Sequence, residues 1–359
     1  MYLKELHLRY FKNYHEATFN FSPGINGIVG KNGAGKTNLL DAIYYLCMTK
    51  SAFQNTDQAN MHFGQHFFTV EGTIEHEDVP VHLQVSFSRE RGKIFKLNKK
   101  VYSKLSEHVG RFPCVLVTPY DSDLIREGSE VRRRFFDAML CQINKTYLEE
   151  LMRYNRLLQQ RNSLLKQVAA LKQAMTMLEV YDEQMAYCAH FIAKARTQFV
   201  NLFLPMFLNH YRFISQSEEL VSLAYQTCIF SASSFVDLMR QHLNKDIALQ
   251  YTSQGIHRDD FIFEMNGNSV KKFASQGQQK SYTLALRLAQ FEVLATQTGK
   301  KPILLLDDIF DKLDDVRIKQ LMLLMSENRF GQVFVTDARP ERTEKLFNSD
   351  KIPIQIVQV

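Results

Sequence analysis

Apolar and polar positions change period along this chain. The N-terminal stretch "MYLKELHLRYF" alternates them, as a strand with one buried face does. Strand-like runs predict strands at Leu3–Leu8, Gly27–Val29, Phe67–Ile74, His82–Phe87, Val115–Val117, Ile303–Leu306 and Val333–Thr336. The middle reads differently. Of 15 glycines and 8 prolines, thirteen lie at or before position 119, and none lies between Ser129 and Leu204. Long helices are expected there. Leu157, Leu164, Leu171, Leu178, Met185 and Ile192 recur every seven residues. Val168, Met175 and Ala189 form part of a second row, which Arg161 and Asp182 interrupt. The imperfect heptad seam predicts a helical hairpin arm that returns to the body; an ordinary amphipathic helix is the alternative.

Composition narrows the class. A chain of 359 residues with 45% hydrophobic and 23% charged content can bury a sizeable core and suits two lobes. A net charge of +6 fits a polyanionic partner or plain solubility. The five cysteines include no C-x-x-C pair, so a reducing, cytoplasmic setting is expected, without disulfide framework or zinc hook. No signal peptide is evident, and no apolar run approaches the roughly 20 residues of a membrane span.

The chemistry begins at "GKNGAGKT", Gly30 to Thr37, between an apolar strand and the helical run "NLLDAIYYLCM". This is a phosphate loop in its required context. Gly30, Gly33 and Gly35 free the backbone so that N–H groups, those of Lys31, Asn32 and Ala34 among them, can converge on phosphate oxygens. Lys36 would bridge the β- and γ-phosphates, and the Thr37 hydroxyl would ligate Mg²⁺. A second element is "PILLLDDIFDKLDD". Its apolar strand ends in Asp307, a partner for Mg²⁺ through water, and Asp308, placed to polarise an attacking water. Thr37 and Asp307 lie about 270 residues apart, so the nucleotide lobe must be split, with the helical region inserted.

"FASQGQQKSY", Phe273 to Tyr282, opens another helix and holds no nucleophile, base or tight metal ligand. Ser275 and the N–H groups at that helix start offer a second anion-binding terminus. Arg132, Arg133 and Arg134 read as a DNA phosphate contact or as a salt-bridged helix start. "HRDD", His257 to Asp260, reads as an interlobe hydrogen-bond cluster in preference to a catalytic pair. "LNKKVYSK", Leu97 to Lys104, reads as an exposed basic hairpin or a DNA contact. His62, His66, His76 and His82 are too scattered for a metal site.

Taken together, these motifs resemble the RecF family of SMC/ABC-type ATPases. The resemblance rests on "KNY" (Lys12–Tyr14), "GKNGAGKTNLLDAI", "TPYDSDLIREGSEVRRRFFD", "GIHRDDF", "SQGQQKSYTLALRLA" and "ILLLDDIFDKLDD", spread from residue 12 to 315. It implies an α/β ABC-type ATPase head with an inserted α-helical arm lobe. The expected boundaries are 1–140 and 255–359 for the two parts of the ATPase lobe and 141–254 for the arm. It also implies that Ser275, Gly277 and Gln278 are a signature motif that binds the γ-phosphate held by a second subunit, and that Asp311–Asp314 form the loop after the acidic strand. Thr336 or Asp337 stands where many relatives keep a histidine switch. Asp308 stands where classical ABC ATPases usually keep glutamate, which fits slow hydrolysis used as a switch. No glutamine is assigned to a Q-loop. The implied function is an ATP- and Mg²⁺-dependent homodimer that binds DNA at single-strand gaps and junctions and helps load RecA, with RecR and RecO as partners. A structural SMC-like ATPase is the alternative; a transporter subunit fits poorly with the helical insertion.

Overall fold

A computed structural model describes residues 1–77, 79–167, 174–230, 234–310, 313–327, 329–349 and 352–359. The chain divides into two compact units. The first comprises Met1–Asp121, His210–Gln216 and Lys280–Val359, and the second Ser122–Asn209 and Ser217–Gln279.

The first unit is built on two sheets. Strands β1 (Tyr2–Phe11), β2 (Tyr14–Asn20), β4 (Phe67–His76), β5 (Val79–Ser88), β6 (Gly92–Leu97) and β7 (Lys100–Val101) form an antiparallel sheet in the order β2-β1-β4-β5-β6-β7. In β1 Leu3, Leu6, Leu8 and Phe11 are buried and Lys4, Glu5 and Arg9 exposed; a register shift between Leu3 and Glu5 and a positive φ at Tyr10 interrupt the strict alternation. The second sheet is parallel, ordered β14-β3-β13-β12-β8. It comprises β3 (Ile25–Val29), β8 (Cys114–Val117), β12 (Ile303–Leu306), β13 (Val333–Asp337) and β14 (Ile354–Gln358). Every residue of β3, β8, β12 and β13 is buried; β8 and β12 are unbroken apolar runs, while β3 and β13 also bury the polar Asn26, Thr336 and Asp337. Helix α1 (Lys36–Met48) packs against strands of both sheets. Its expected apolar side, Leu39, Leu40, Ile43, Leu46 and Cys47, is buried, and so are Asp41, Ala42 and Tyr45. A helix enclosed all round holds the phosphate loop rigidly at its start.

The second unit is mainly helical. It holds α2 (Asp123–Arg126), α3 (Ser129–Ile143), α4 (Lys145–Leu165), most of α5 (Ala174–Ser215), α6 (Phe235–Leu249) and α7 (Val270–Phe273). Three strands, β9 (Val221–Gln226), β10 (Asp260–Met265) and β11 (Asn268–Ser269), form a sheet ordered β11-β10-β9. Helix α8 (Gln276–Thr298) starts in this unit and continues in the first, which also holds α9 (Asp315–Ser326) and α10 (Pro340–Ser349).

The heptad seam lies on two helices instead of one. Leu157 and Leu164 are buried on α4, and Leu178, Met185, Ala189 and Ile192 on α5, while Met175 is exposed. Leu171 and Val168 lie outside the described residues. The helices run antiparallel, because the end of α4 meets the start of α5: Arg161 donates to Asp182 at 2.6 Å. The two residues that interrupt the second row are thus partners. Arg161 also reaches Asp246 of α6 and Thr252, both at 2.8 Å.

The units change over at Asp121 and Gln279, not at the expected 140 and 254. Phe136 of α3 stacks on Phe261 of β10 with ring centroids 3.9 Å apart, and Arg132 grips Asp260 with two bonds of 2.8 Å. These contacts hold α3 and the segment after Gly255 to the helical unit.

Candidate nucleotide site

Strand β3 runs into the phosphate loop, where Gly33 and Gly35 take φ of 83° and 116°, values that disfavour any side chain. A Cβ at Gly35 would also meet Asn13 Nδ2 at 2.5 Å, and one at Gly30 would run into the Val359 carbonyl. Lys31, Asn32 and Gly33 form the exposed tip. Gly35 caps α1 without a side chain, so no side-chain cap competes for the N–H groups at the helix start. Lys36 is only 9% exposed, and its ammonium donates to the carbonyls of Gly30 at 2.7 Å and Lys31 at 3.1 Å. Those contacts hold the cation over the loop's concavity with a further donor for an anion.

Three consecutive residues of the first hairpin brace this loop. Lys12 pairs with buried Asp41 of α1 at 2.5 Å. Asn13 donates to the Ala34 carbonyl at 2.9 Å and accepts from Asn38 at 2.7 Å. Tyr14 donates to the Gly35 carbonyl at 3.1 Å. The motif "KNY" was visible in the sequence, but its bracing role was not, since hydrogen-bond separations of 21 and 25 residues carry no local pattern.

The acidic strand end arrives from the other side of the sheet. Strand β13 separates β3 from β12, and the side chains close that gap. Thr37 Oγ1 donates towards Asp307, 3.0 Å from each carboxylate oxygen. Thr336, at the end of β13, donates to Asp307 Oδ1 at 2.9 Å and accepts from the Asp308 N–H at 2.8 Å. Burial raises the Asp307 pKa; the hydroxyls of Thr336 and Thr37 oppose that shift, and the nearby Asp308 charge adds to it. Asp308 turns into the left-handed region, φ 48°, and so leaves the strand direction that Asp307 follows. Thr336, expected only as the place of a missing histidine, therefore ties the two aspartates together. Asp337 is buried, and its carboxylate accepts from the Arg339 N–H at 2.9 Å.

The residues present fit a nucleoside triphosphate with magnesium. The loop offers backbone N–H groups and Lys36 to phosphate, and Thr37 with Asp307 is a hard-oxygen set of the kind Mg²⁺ takes. Among the described residues no cluster of three or more His, Cys, Asp or Glu side chains forms a separate metal site.

The signature stretch, as far as Gln279, belongs to the helical unit. Ser275 and Gln278 form a reciprocal cap: the Gln278 N–H donates to Ser275 Oγ at 3.2 Å, and the Ser275 N–H donates to Gln278 Oε1 at 2.7 Å. Two N–H groups expected to face an anion are thus used within the cap. Gly277 occupies the second helical position, with Ser275 and Gln276 exposed beside it. Asp311 lies outside the described residues, and Asp314 caps α9 by accepting from the Arg317 N–H at 3.0 Å.

The basic and "HRDD" segments are structural cross-ties. Besides Arg132 on Asp260, Arg133 donates to the Asp259 carbonyl at 2.5 Å, and Arg134 pairs with Glu130 one turn away. His257 Nε2 donates to the Thr252 carbonyl at 3.0 Å and Nδ1 lies 2.8 Å from the Tyr154 hydroxyl. Burial lowers its pKa to about 4. The cluster lies inside the helical unit, not between lobes as expected.

Comparison with known proteins agrees with this geometry. A family model described as "RecF/RecN/SMC N terminal domain" matches residues 2–356. The "DNA replication and repair protein RecF" of Cytophaga hutchinsonii is 44% identical over 351 residues, covering 98% of this chain and 93% of the relative. The protein of the same name from Flavobacterium johnsoniae is also 44% identical over 351 residues, covering 97% of each chain. A solved structure of "the recombination mediator protein RecF-ATPrS in RecFOR pathway" superposes with a TM-score of 0.88 at 28% identity, covering 100% of this chain and 96% of the other. The chain belongs to the RecF family, within the RecF/RecN/SMC group whose ATPase head it carries.

Proposed function

We propose that this chain is an ATP-dependent DNA-binding recombination mediator of replication and repair, acting in the cytoplasm at single-strand gaps and at junctions of single- and double-stranded DNA. ATP with Mg²⁺ is its ligand. Two copies close head to tail, and each presents Ser275, Gly277 and Gln278 to the γ-phosphate held by the other. RecR and RecO are the proposed partners, and loading of RecA is the outcome.

The observation that carries this reading is the run of hydrogen bonds of 2.8 to 3.0 Å from Thr37 at the start of α1 to the Asp307 carboxylate, on to the Thr336 hydroxyl and from there to the Asp308 N–H, which joins the ends of β12 and β13 to the helix that follows the phosphate loop. Bound nucleotide would supply the γ-phosphate whose hydrolysis resets the dimer. Lys36 and the loop backbone bind and orient the phosphates. Thr37 and, through water, Asp307 would hold the cation, and Asp308 would orient and polarise the attacking water. A carboxylate one methylene shorter than glutamate reaches less far, which supports a weak ATPase that works as a switch.

The test is ATP-dependent retention on gapped against fully duplex DNA, measured across salt for the wild type and Lys36→Met. The wild type should prefer the gap at every salt concentration, since bulk phosphate attraction alone falls steeply with salt and does not discriminate the two. Lys36→Met should lose the ATP-dependent part. Equal retention by wild type and variant, or no gap preference, would refute the reading.

A further inference from the structure

The signature stretch does not stand alone at the head of α8. Glu219, in the connection between α5 and β9, accepts from Gln278 Nε2 at 2.6 Å. Its other carboxylate oxygen accepts from Ser217 Oγ at 2.9 Å. Gln278 Oε1 is meanwhile taken by the Ser275 N–H at 2.7 Å. Both ends of the Gln278 amide are therefore engaged, and only one orientation of that amide satisfies them. The bond to Glu219 is charge-assisted, the stronger class. With the amide fixed, the Gln278 N–H stays on Ser275 Oγ at 3.2 Å, which occupies a lone pair of that oxygen. That bond uses the oxygen as acceptor only, so the hydroxyl hydrogen of this surface-exposed side chain is not spent in the cap.

We propose that Glu219 is a positioning residue for the signature: by fixing the Gln278 amide it holds Ser275 so that its hydroxyl, and not its backbone N–H, is the donor offered to a phosphate oxygen on a second copy of this chain. The proposal rests on the head-to-tail reading above. It assigns Glu219 no contact with nucleotide. Without the carboxylate, the Gln278 amide can flip or leave, the Ser275 N–H loses its acceptor, and the hydroxyl is free to turn back onto the helix.

The experiment measures ATP-dependent dimerisation by light scattering over a range of protein concentrations, with fluorescent-nucleotide binding to the dilute monomer as the control. Ser275→Arg tests the underlying reading. Glu219→Ala should raise the concentration for half-dimerisation at least about tenfold, the scale of one hydrogen bond to a charged group. Its monomer should bind nucleotide as the wild type does. Glu219→Gln, whose amide oxygen can still accept from Gln278, should restore most of the dimerisation. In a Gln278→Met background, Glu219→Ala should add no further loss. If Ser275→Arg dimerises normally, the head-to-tail reading fails and takes this proposal with it. If Ser275→Arg abolishes the dimer but Glu219→Ala leaves it intact, the positioning role alone is overturned. A further loss from Glu219→Ala in the Gln278→Met background overturns it too, and that comparison holds even if the single alanine variant is unstable.

Discussion

Replacing Thr336 with valine isolates the hydroxyl that joins the two aspartates. Valine keeps the branched shape of the side chain at a position that is 1% exposed, so the change removes the buried hydroxyl without opening a cavity. Two hydrogen bonds disappear: the donation to Asp307 Oδ1 at 2.9 Å and the acceptance from the Asp308 N–H at 2.8 Å. The first leaves Asp307 with Thr37 as its hydroxyl partner. The second removes an anchor from a residue already held at φ 48°, a conformation that needs support from its surroundings. Losing a buried partner of this kind costs about 1–3 kcal/mol. If about 2 kcal/mol of that falls on the placement of Asp308, hydrolysis slows roughly thirtyfold. Nucleotide affinity should stay near wild type, because Lys36 and the loop backbone are untouched. Single-turnover hydrolysis with protein in excess reads the chemical step, and fluorescent-nucleotide titration reads binding. Thr336→Ser restores the hydroxyl and should recover most of the rate. Wild-type hydrolysis by Thr336→Val would refute the reasoning. A Thr336→Ser variant as slow as Thr336→Val would show that the methyl group matters and the hydroxyl does not.

Two further predictions concern the frame around the sites. His108 is fully buried, with Nε2 donating to the Leu46 carbonyl of α1 at 2.7 Å, and burial lowers its pKa to about 4 from the usual 6.5. The unfolded chain therefore binds more protons between those values. Stability should be intact above pH 6.5 and fall as pH drops towards 4, by about 3 kcal/mol from this group, and urea unfolding of His108→Gln should show a shallower pH dependence. In the arm, Arg161→Met leaves Asp182 and Asp246 buried without their cation and should cost about 3–5 kcal/mol in urea unfolding. Replacing all three with apolar residues of similar volume should recover most of that loss; failure to do so would mean the arm needs the charges themselves.

Period and motif in the sequence carried the parallel strands and the chemistry of the loop. Ile303–Leu306 and Val333–Thr336 are apolar runs bounded by charge and turn residues, and both form central strands. Three kinds of feature escaped. Edge and minor strands such as β11 and β14 are short or half-exposed, so alternation alone does not mark them. Long-range partners leave no periodic trace: Arg161 and Asp182 interrupted a heptad row, and only the hairpin turns two apparent defects into one ion pair. The third was legible in the spacing but was not read as a cap. Ser275 and Gln278 have the spacing of a capping box, in which the side chains consume the N–H groups that a bare helix start would offer to an anion.

The sheet order explains how so large an insertion leaves the nucleotide site intact. Strands β8 and β12 are parallel neighbours, with Cys114 opposite Ile303 and Val117 opposite Leu306. Parallel neighbours need a long crossover in any case, usually helical. Here that crossover contains the whole second unit and returns through α8, which leads directly by way of Gly299 into β12. Lengthening such a connection adds little loop entropy, because the cost grows only with the logarithm of its length. The strand ends themselves are fixed independently of it: Asp307 N–H donates to the Val117 carbonyl at 2.9 Å, and Thr336 is brought alongside by β13, which pairs with both β12 and β3. The crossover can thus carry a second set of residues, with Ser275 at the head of its returning helix and Asp307 just past the strand which that helix enters. In chain order the γ-phosphate reader proposed for one site is separated from the aspartate proposed to hold Mg²⁺ at another by a single helix and a single strand.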